Sequence, residues 1–289
     1  MANAASIGAR HLPALGAVAP AALYVCALLM LPFLFLLYLS VQDGDPFLAE
    51  HTTFTLRHYA SIATSPIYRD SLLGTLRLGL MVTLLTLLLG YPVAMFVAQS
   101  GSRFALFVMA VVVLPLFVSV VVRSFGWMVL FGRQGLINKA LVALGIVEQP
   151  VQLLYTPGAV TIGLVHILAP LMILPIASVL RGMDPMLPEA ARSLGASRLR
   201  VFLTVTLPLS LPGVAAGCVL VLAHVIAAFV LPALIGSDRV RLMATMIYQQ
   251  VMVANDIPLG SALAVVMVAA TFALLAAAHL LLRRWHDRT

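Results

Sequence analysis

Charge is what this chain has least of. Of its 289 residues 9% are charged and 62% are hydrophobic, whereas soluble domains carry about 25% charged residues. A water-soluble core of this length does not need so much apolar sequence, so lipid is expected to be the solvent for much of it. Lysine occurs once, as Lys139 directly after Asn138. That excludes a Gly-Lys-Ser/Thr phosphate loop, so any ATP must be hydrolysed by another chain. His-Glu-x-x-His, paired Cys-x-x-Cys and Gly-x-Ser-x-Gly are also absent, and no catalytic, metal or cofactor set emerges. The chain is expected not to be an enzyme. Its two cysteines, Cys26 and Cys218, both lie in apolar runs, against a disulfide framework. The net charge of +7 comes from arginines standing singly or in pairs, not from a dense basic stripe. Nucleic acid is therefore not an expected partner.

What is present is apolar length. Six stretches, about Val18–Val41, Leu72–Ala98, Phe104–Phe131, Gly158–Leu180, Leu211–Ile235 and Leu259–Leu282, reach the roughly 20 residues a bilayer-crossing helix needs. They are too long for barrel strands and do not alternate. Prolines at 32, 92, 115, 170, 175 and 232 fall inside or near their ends, which a membrane bundle tolerates because neighbouring helices satisfy the freed backbone groups. The expected fold class is an all-α integral membrane protein with six transmembrane helices. Arg10 and His11 before the first run imitate a secretion leader, but the run is longer than a leader's core, and a retained first helix is expected.

Loop charges set the orientation. Nine Lys/Arg fall on the side holding the 181–208 loop and six on the other, which places both termini and that loop in the cytoplasm. The division expected is a tail over 1–17, a six-helix membrane bundle over 18–282 that includes the 181–208 loop, and a basic tail over 283–289. The external segments 42–71 and 132–157 read either as ordinary loops or as short interfacial helices with a docking surface.

No Asp or Glu falls within the six runs. Arg123, near the external end of the third, either snorkels outward or lines a path and meets a solute anion. Arg77, early in the second, divides the same way. His166, His224 and His279 suit helix–helix hydrogen bonds or a gate. Gly213-x-x-x-Gly217 is a weak signal for close helix contact.

The polar segment 181–208 reads as two short helices. Asp184 suits a cap with Pro185 at the first helical position, Glu189-Ala-Ala-Arg-Ser-Leu are good helix formers, and Gly195 suits a left-handed turn. Ser197 then caps a second helix in which Leu199, Phe202 and Leu203 recur at helical spacing, closed by Leu207-Pro208. The plain alternative is an amphipathic loop that is basic because it lies near anionic lipid.

Glu189-Ala190-Ala191, Gly195 and Val205-Thr206-Leu207-Pro208 resemble the EAA signature of bacterial ABC importer permeases. Val122-Arg-Ser-Phe-Gly-Trp127, Gly135-Leu-Ile-Asn138, Thr206–Gly213 and Phe229–Gly236 are similar to motifs of the spermidine/putrescine-type subgroup, whose relatives also import opines and phosphonates. The resemblance implies a type I (MetI-like) importer permease in the bacterial inner membrane. Its implied partners are two cytoplasmic ATPases, a second permease, identical or homologous, and a periplasmic binding protein delivering a small organic solute. Glu189, Ala190, Ala191, Gly195, Leu207 and Pro208 then carry the coupling role; Arg123, Trp127, His166 and His224 are the candidates for the path. A secondary transporter or channel is the alternative, and it would have only two arginines and three histidines as coupling groups. A membrane-embedded enzyme lacks its acid/base or metal set.

Overall fold

A computed structural model describes residues 12–44, 53–236 and 240–286, with the side chains of 12–19 and 279–286 left out. Most of the two expected tails, and the side chain of His279, lie outside the described part. Helices dominate, and five are long and apolar enough to cross a membrane, six when one sharply bent pair is taken as a single span.

The chain divides into two compact units. The first combines Met1–Thr64 with Ile247–Val266. It contains α1 (Leu12–Ser40), the two-residue strands β1 (Gln42–Asp43) and β2 (Thr53–Phe54), and α2 (Arg57–Thr64). The strands pair antiparallel, Gln42 opposite Phe54. Ser40 Oγ lies 2.7 Å from Tyr59 OH, and His58 Nε2 donates to the Gln42 carbonyl at 3.0 Å, tying α2 to the ladder. Along α1 the apolar side chains from Leu23 to Phe35 are exposed, as befits a helix whose solvent is lipid.

The second unit combines Ser65–Met246 with Met267–Thr289. In chain order it holds α3 (Pro66–Gln99), α4 (Arg103–Val113), α5 (Val120–Phe131), α6 (Leu136–Ala143), α7 (Pro157–Arg181), α8 (Met186–Ser193), α9 (Arg198–Val201) and α10 (Leu207–Ile226). α11 (Met243–Tyr248) and α12 (Ile257–His286) each run across a unit boundary. α3, α7 and α10 pack on one another and supply most of the core, with Val82, Ala94, Met172, Ile176 and Val221 buried. Buried threonines on α3 return their hydroxyls to their own helix, as Thr86 Oγ1 does to the Val82 carbonyl at 2.7 Å, so these hydroxyls are not stranded in apolar surroundings.

The α7–α10 seam depends on two glycines. A Cβ on Gly213 would stand 2.8 Å from the Pro175 carbonyl oxygen, and one on Gly217 would stand 2.7 Å from Met172 Sδ and 3.2 Å from Met172 Cα. The weak small-residue pattern thus marks a place where two backbones meet.

The spans depart furthest from the sequence expectation in the third and the fifth. The third span is not continuous. Pro115 sits in a 3₁₀ turn (Leu114–Phe117), Val118 is extended, and Ser119 caps α5 by accepting from the Val121 amide at 3.3 Å. The segments Arg103–Phe117 and Val120–Ala143 are consequently bent by 106°. A proline that withholds an amide, followed by a strong cap, restarts the helix. The fifth span begins earlier than Leu211 and ends earlier than Ile235, running Arg198–Ile226. Leu207-Pro208 does not close the preceding helix. A π turn over Phe202–Thr206 lets the Leu207 amide bond the Phe202 carbonyl, and this wider turn lets the helix run on through Pro208, which has no N–H to give. Past Ile226, Ala227–Phe229 break the helix, and Pro232 opens a separate π turn, Pro232–Gly236.

The segments 42–71 and 132–157 do contain short helices, α2 and α6. The Gly135-Leu-Ile-Asn138 motif is a clamp. Asn138 is fully buried; its Nδ2 donates to the carbonyls of Gly132 and Val151 and its Oδ1 accepts from the Val151 amide, each at 3.0 Å. A Cβ on Gly135 would collide with the carbonyls of Val129 and Leu130.

Candidate functional site

The 184–208 segment is a helix–turn–helix. Asp184 Oδ1 accepts from the Met186 amide at 2.9 Å, and α8 starts at Met186, one residue later than expected. α8 ends in a Schellman motif: Gly195 N–H bonds the Arg192 carbonyl at 2.9 Å, and Ala196 N–H bonds the Ala191 carbonyl at 3.1 Å. Gly195 has φ +84°, and an added Cβ would meet nothing within 4 Å. Its role is conformational, and the chain turns there because glycine enters this region without steric cost. Ser197 Oγ then accepts from the Arg200 amide at 3.3 Å and opens α9.

Glu189 and Ala190 are exposed on α8, Ala191 is half-buried, and no residue of α8 is fully buried. The face of the second helix that packs is not the expected one. Val201 and Thr206 are buried, whereas Leu199 is 67% and Leu203 50% exposed. Phe202 sets its edge against Tyr91 of α3 (centroids 5.6 Å), and Tyr91 OH lies 2.8 Å from Ser210 Oγ. The base of the helix pair is therefore fixed to the bundle while its outer surface shows Met186, Leu187, Leu194, Leu199 and Leu203. Leu194, at 89% the most exposed of these, was missed in sequence; its signal is a bulky apolar residue directly before the turn glycine of a polar stretch.

The path candidates fall into two places. Arg123 and His224 line a cavity of about 460 Å³ walled by α5, α7 and the Ala227–Leu231 break. Trp127, one turn after Arg123, stacks on Phe131 (4.9 Å) and donates from Nε1 to His166 Nδ1 at 3.4 Å. His166 also lines a second, almost wholly apolar cavity of about 410 Å³ between α3 and α7. His224 donates from Nδ1 to its own helix at the Leu220 carbonyl, 2.8 Å away. Arg77 lies apart from these and lines a further cavity with Arg241. Among the described residues no group of His, Cys, Asp and Glu is arranged to hold a metal.

Comparison with known proteins decides the family. The binding-protein-dependent transport system inner membrane component family matches residues 87–288. This chain belongs to that family. The spermidine/putrescine transport system permease protein PotB of Escherichia coli (strain K12) is 33% identical over 237 residues, covering 82% of this chain and 86% of its own length. The protein of the same name from Haemophilus influenzae is 34% identical over 238 residues, covering 82% of each chain. A solved bacterial ABC transporter involved in the import of the acidic polysaccharide alginate superposes with a TM-score of 0.77 over 95% of this chain and 96% of that one; at 18% identity it speaks to the fold alone. The protein is thus a multi-pass inner-membrane permease of a binding-protein-dependent ABC importer, and ATP hydrolysis belongs to a separate subunit.

Proposed function

We propose that the α8–α9 helix pair is the element through which this permease is driven by its ATPase. Glu189, Ala190, Ala191 and Gly195 form and present its surface, and Leu207 and Pro208 join it to the fifth span. The observation that carries this reading is the set of exposed apolar side chains, Leu194 foremost, on a helix pair whose second helix is fixed to the bundle through Phe202. Large apolar side chains left exposed on a polar segment suit a protein partner. Two such ATPases act on a pair of permeases, this chain and a second, identical or homologous one. Both termini and the helix pair lie in the cytoplasm, in keeping with the arginine bias. A periplasmic binding protein delivers a small organic ion (a polyamine, an opine or a related solute), and Arg123, Trp127, His166 and His224 border its route.

The test is co-expression with the neighbouring ATPase. Glu189→Ala and Gly195→Asp are expected to weaken recovery of a detergent-stable complex and to lower solute-stimulated ATP hydrolysis, with the permease itself still folded. Unchanged recovery and transport in both variants would remove the coupling assignment. Transport by the permease alone, indifferent to ATP, would restore the secondary-transporter reading.

A further inference from the structure

The cavity at Arg123 has a chemistry that the coupling reading does not use. Two of the guanidinium nitrogens, Nε and Nη1, are buried and have no hydrogen-bond partner among the described residues. A guanidinium nitrogen held away from water without an acceptor is unfavourable, so this position favours whatever brings negative charge to it. The wall offers no carboxylate. Apart from Arg123 and His224, the side chains lining it are apolar. His224 spends its Nδ1 proton on the Leu220 carbonyl, leaving Arg123 as the strong donor. Two breaks in the membrane helices meet this same cavity. Leu116 and Val120 come from the bend before α5, and Ala227 to Leu231 come from the end of α10. α5, a helix of 12 residues, starts there at Ser119–Val120 and adds the positive end of its dipole beside Arg123. Interrupted membrane helices whose N-termini point at anionic groups are a recurrent way of building solute sites. At about 460 Å³ the cavity is in the size range of small-molecule sites, roughly 300–1,000 Å³.

We propose that the Arg123 cavity is an oxyanion subsite on the permeation route and takes the carboxylate of a small organic solute. This rests on the importer reading and narrows its cargo: an ω-amino acid or another carboxylate-bearing ion fits, and a plain diamine finds no counter-charge here. A carboxylate side chain from the second permease has the same chemistry, and the experiment separates the two.

The chain has two tryptophans, Trp127 and Trp285. With Trp285→Phe, Trp127 becomes a fluorescent reporter one turn from Arg123. The full chain in nanodiscs is titrated with iodide, an anionic quencher, and with acrylamide, a neutral one. Iodide quenching is expected to be about fivefold stronger than in Arg123→Gln, acrylamide quenching equal in both, and Arg123→Lys to keep most of the iodide effect. At matched ionic strength, 4-aminobutyrate and acetate are expected to protect against iodide, and putrescine not to. The same pattern is expected in the complete transporter. Equal iodide quenching in the wild type and Arg123→Gln overturns the proposal, as does protection by putrescine equal to that by 4-aminobutyrate. Iodide quenching that is present in the isolated chain and abolished on adding the second permease assigns the oxyanion to that subunit and overturns the solute reading. ATPase co-purification is scored in parallel. It is expected to be unaffected by Arg123→Gln, and its absence in the wild type counts against the importer reading whatever iodide does.

Discussion

Gly213 and Gly217 sit in ordinary helix with no room around them, whereas Gly195 sits in a left-handed turn with open space on every side. The first pair is required for what it leaves out: any side chain would separate α7 from α10. The second is required for the backbone angle it permits. One residue type thus serves a packed seam in the membrane and an exposed joint outside it, and substitutions at the two places should fail in different ways.

The largest effect is expected at the seam. Gly217→Val pushes branched carbons against Met172, whose own Cα and carbonyl lie 3.2 Å from the position of a Cβ and cannot swing aside. A loss of about 3 kcal/mol or more is expected, read as a collapsed size-exclusion peak or a lower melting temperature in detergent. Gly195→Val comes next, because a β-branched residue in the left-handed region costs about 1–2 kcal/mol locally. The bundle should melt nearly as the wild type does while ATPase recovery falls, and Gly195→Asn should restore much of it. If Gly195→Val unfolds the whole bundle, the contrast between seam and joint is false. Tyr91→Phe, which removes the 2.8 Å contact with Ser210 but keeps the ring against Phe202, is expected to cost about 1 kcal/mol, because Ser210 still bonds the Leu207 carbonyl at 2.9 Å. Leu194→Ser should change stability by less than about 0.5 kcal/mol and nonetheless weaken ATPase capture about tenfold. A stability loss at Leu194 without a capture defect would mean that the exposed row packs against the bundle after all.

The spans were legible because apolar length is a strong signal that needs no tertiary knowledge. The turn at Gly195 and the caps at Asp184 and Ser197 were legible for a similar reason: each depends on residues within a few positions of one another. What escaped were features decided by competition between nearby signals. Pro115 and Pro208 look alike in sequence, yet the first lies in a break and the second enters a running helix, because Ser119 restarts a helix after one and a π turn precedes the other. Leu199 and Leu203 have the spacing of a packed face, but α3 offers Tyr91 to Phe202 and the surface leucines are left outside. The meaning of Gly213 and Gly217 depends on carbonyl and sulfur atoms some 40 residues away, at Pro175 and Met172. Which walls enclose Arg123 is likewise set by segments more than 100 residues distant, Ala227 to Leu231 among them.

The continuity of α9 with the rest of the fifth span has a mechanical consequence. Arg198–Ile226 is one rod of 29 residues, about 43 Å long, so a tilt of about 5° imposed at its outer tip displaces the far tip by roughly 4 Å. That far tip abuts the wall formed by Ala227 to Leu231. In the coupling proposed above such a lever carries motion from end to end, and the π turn at Phe202–Thr206 is the place along it where stroke would be lost to bending.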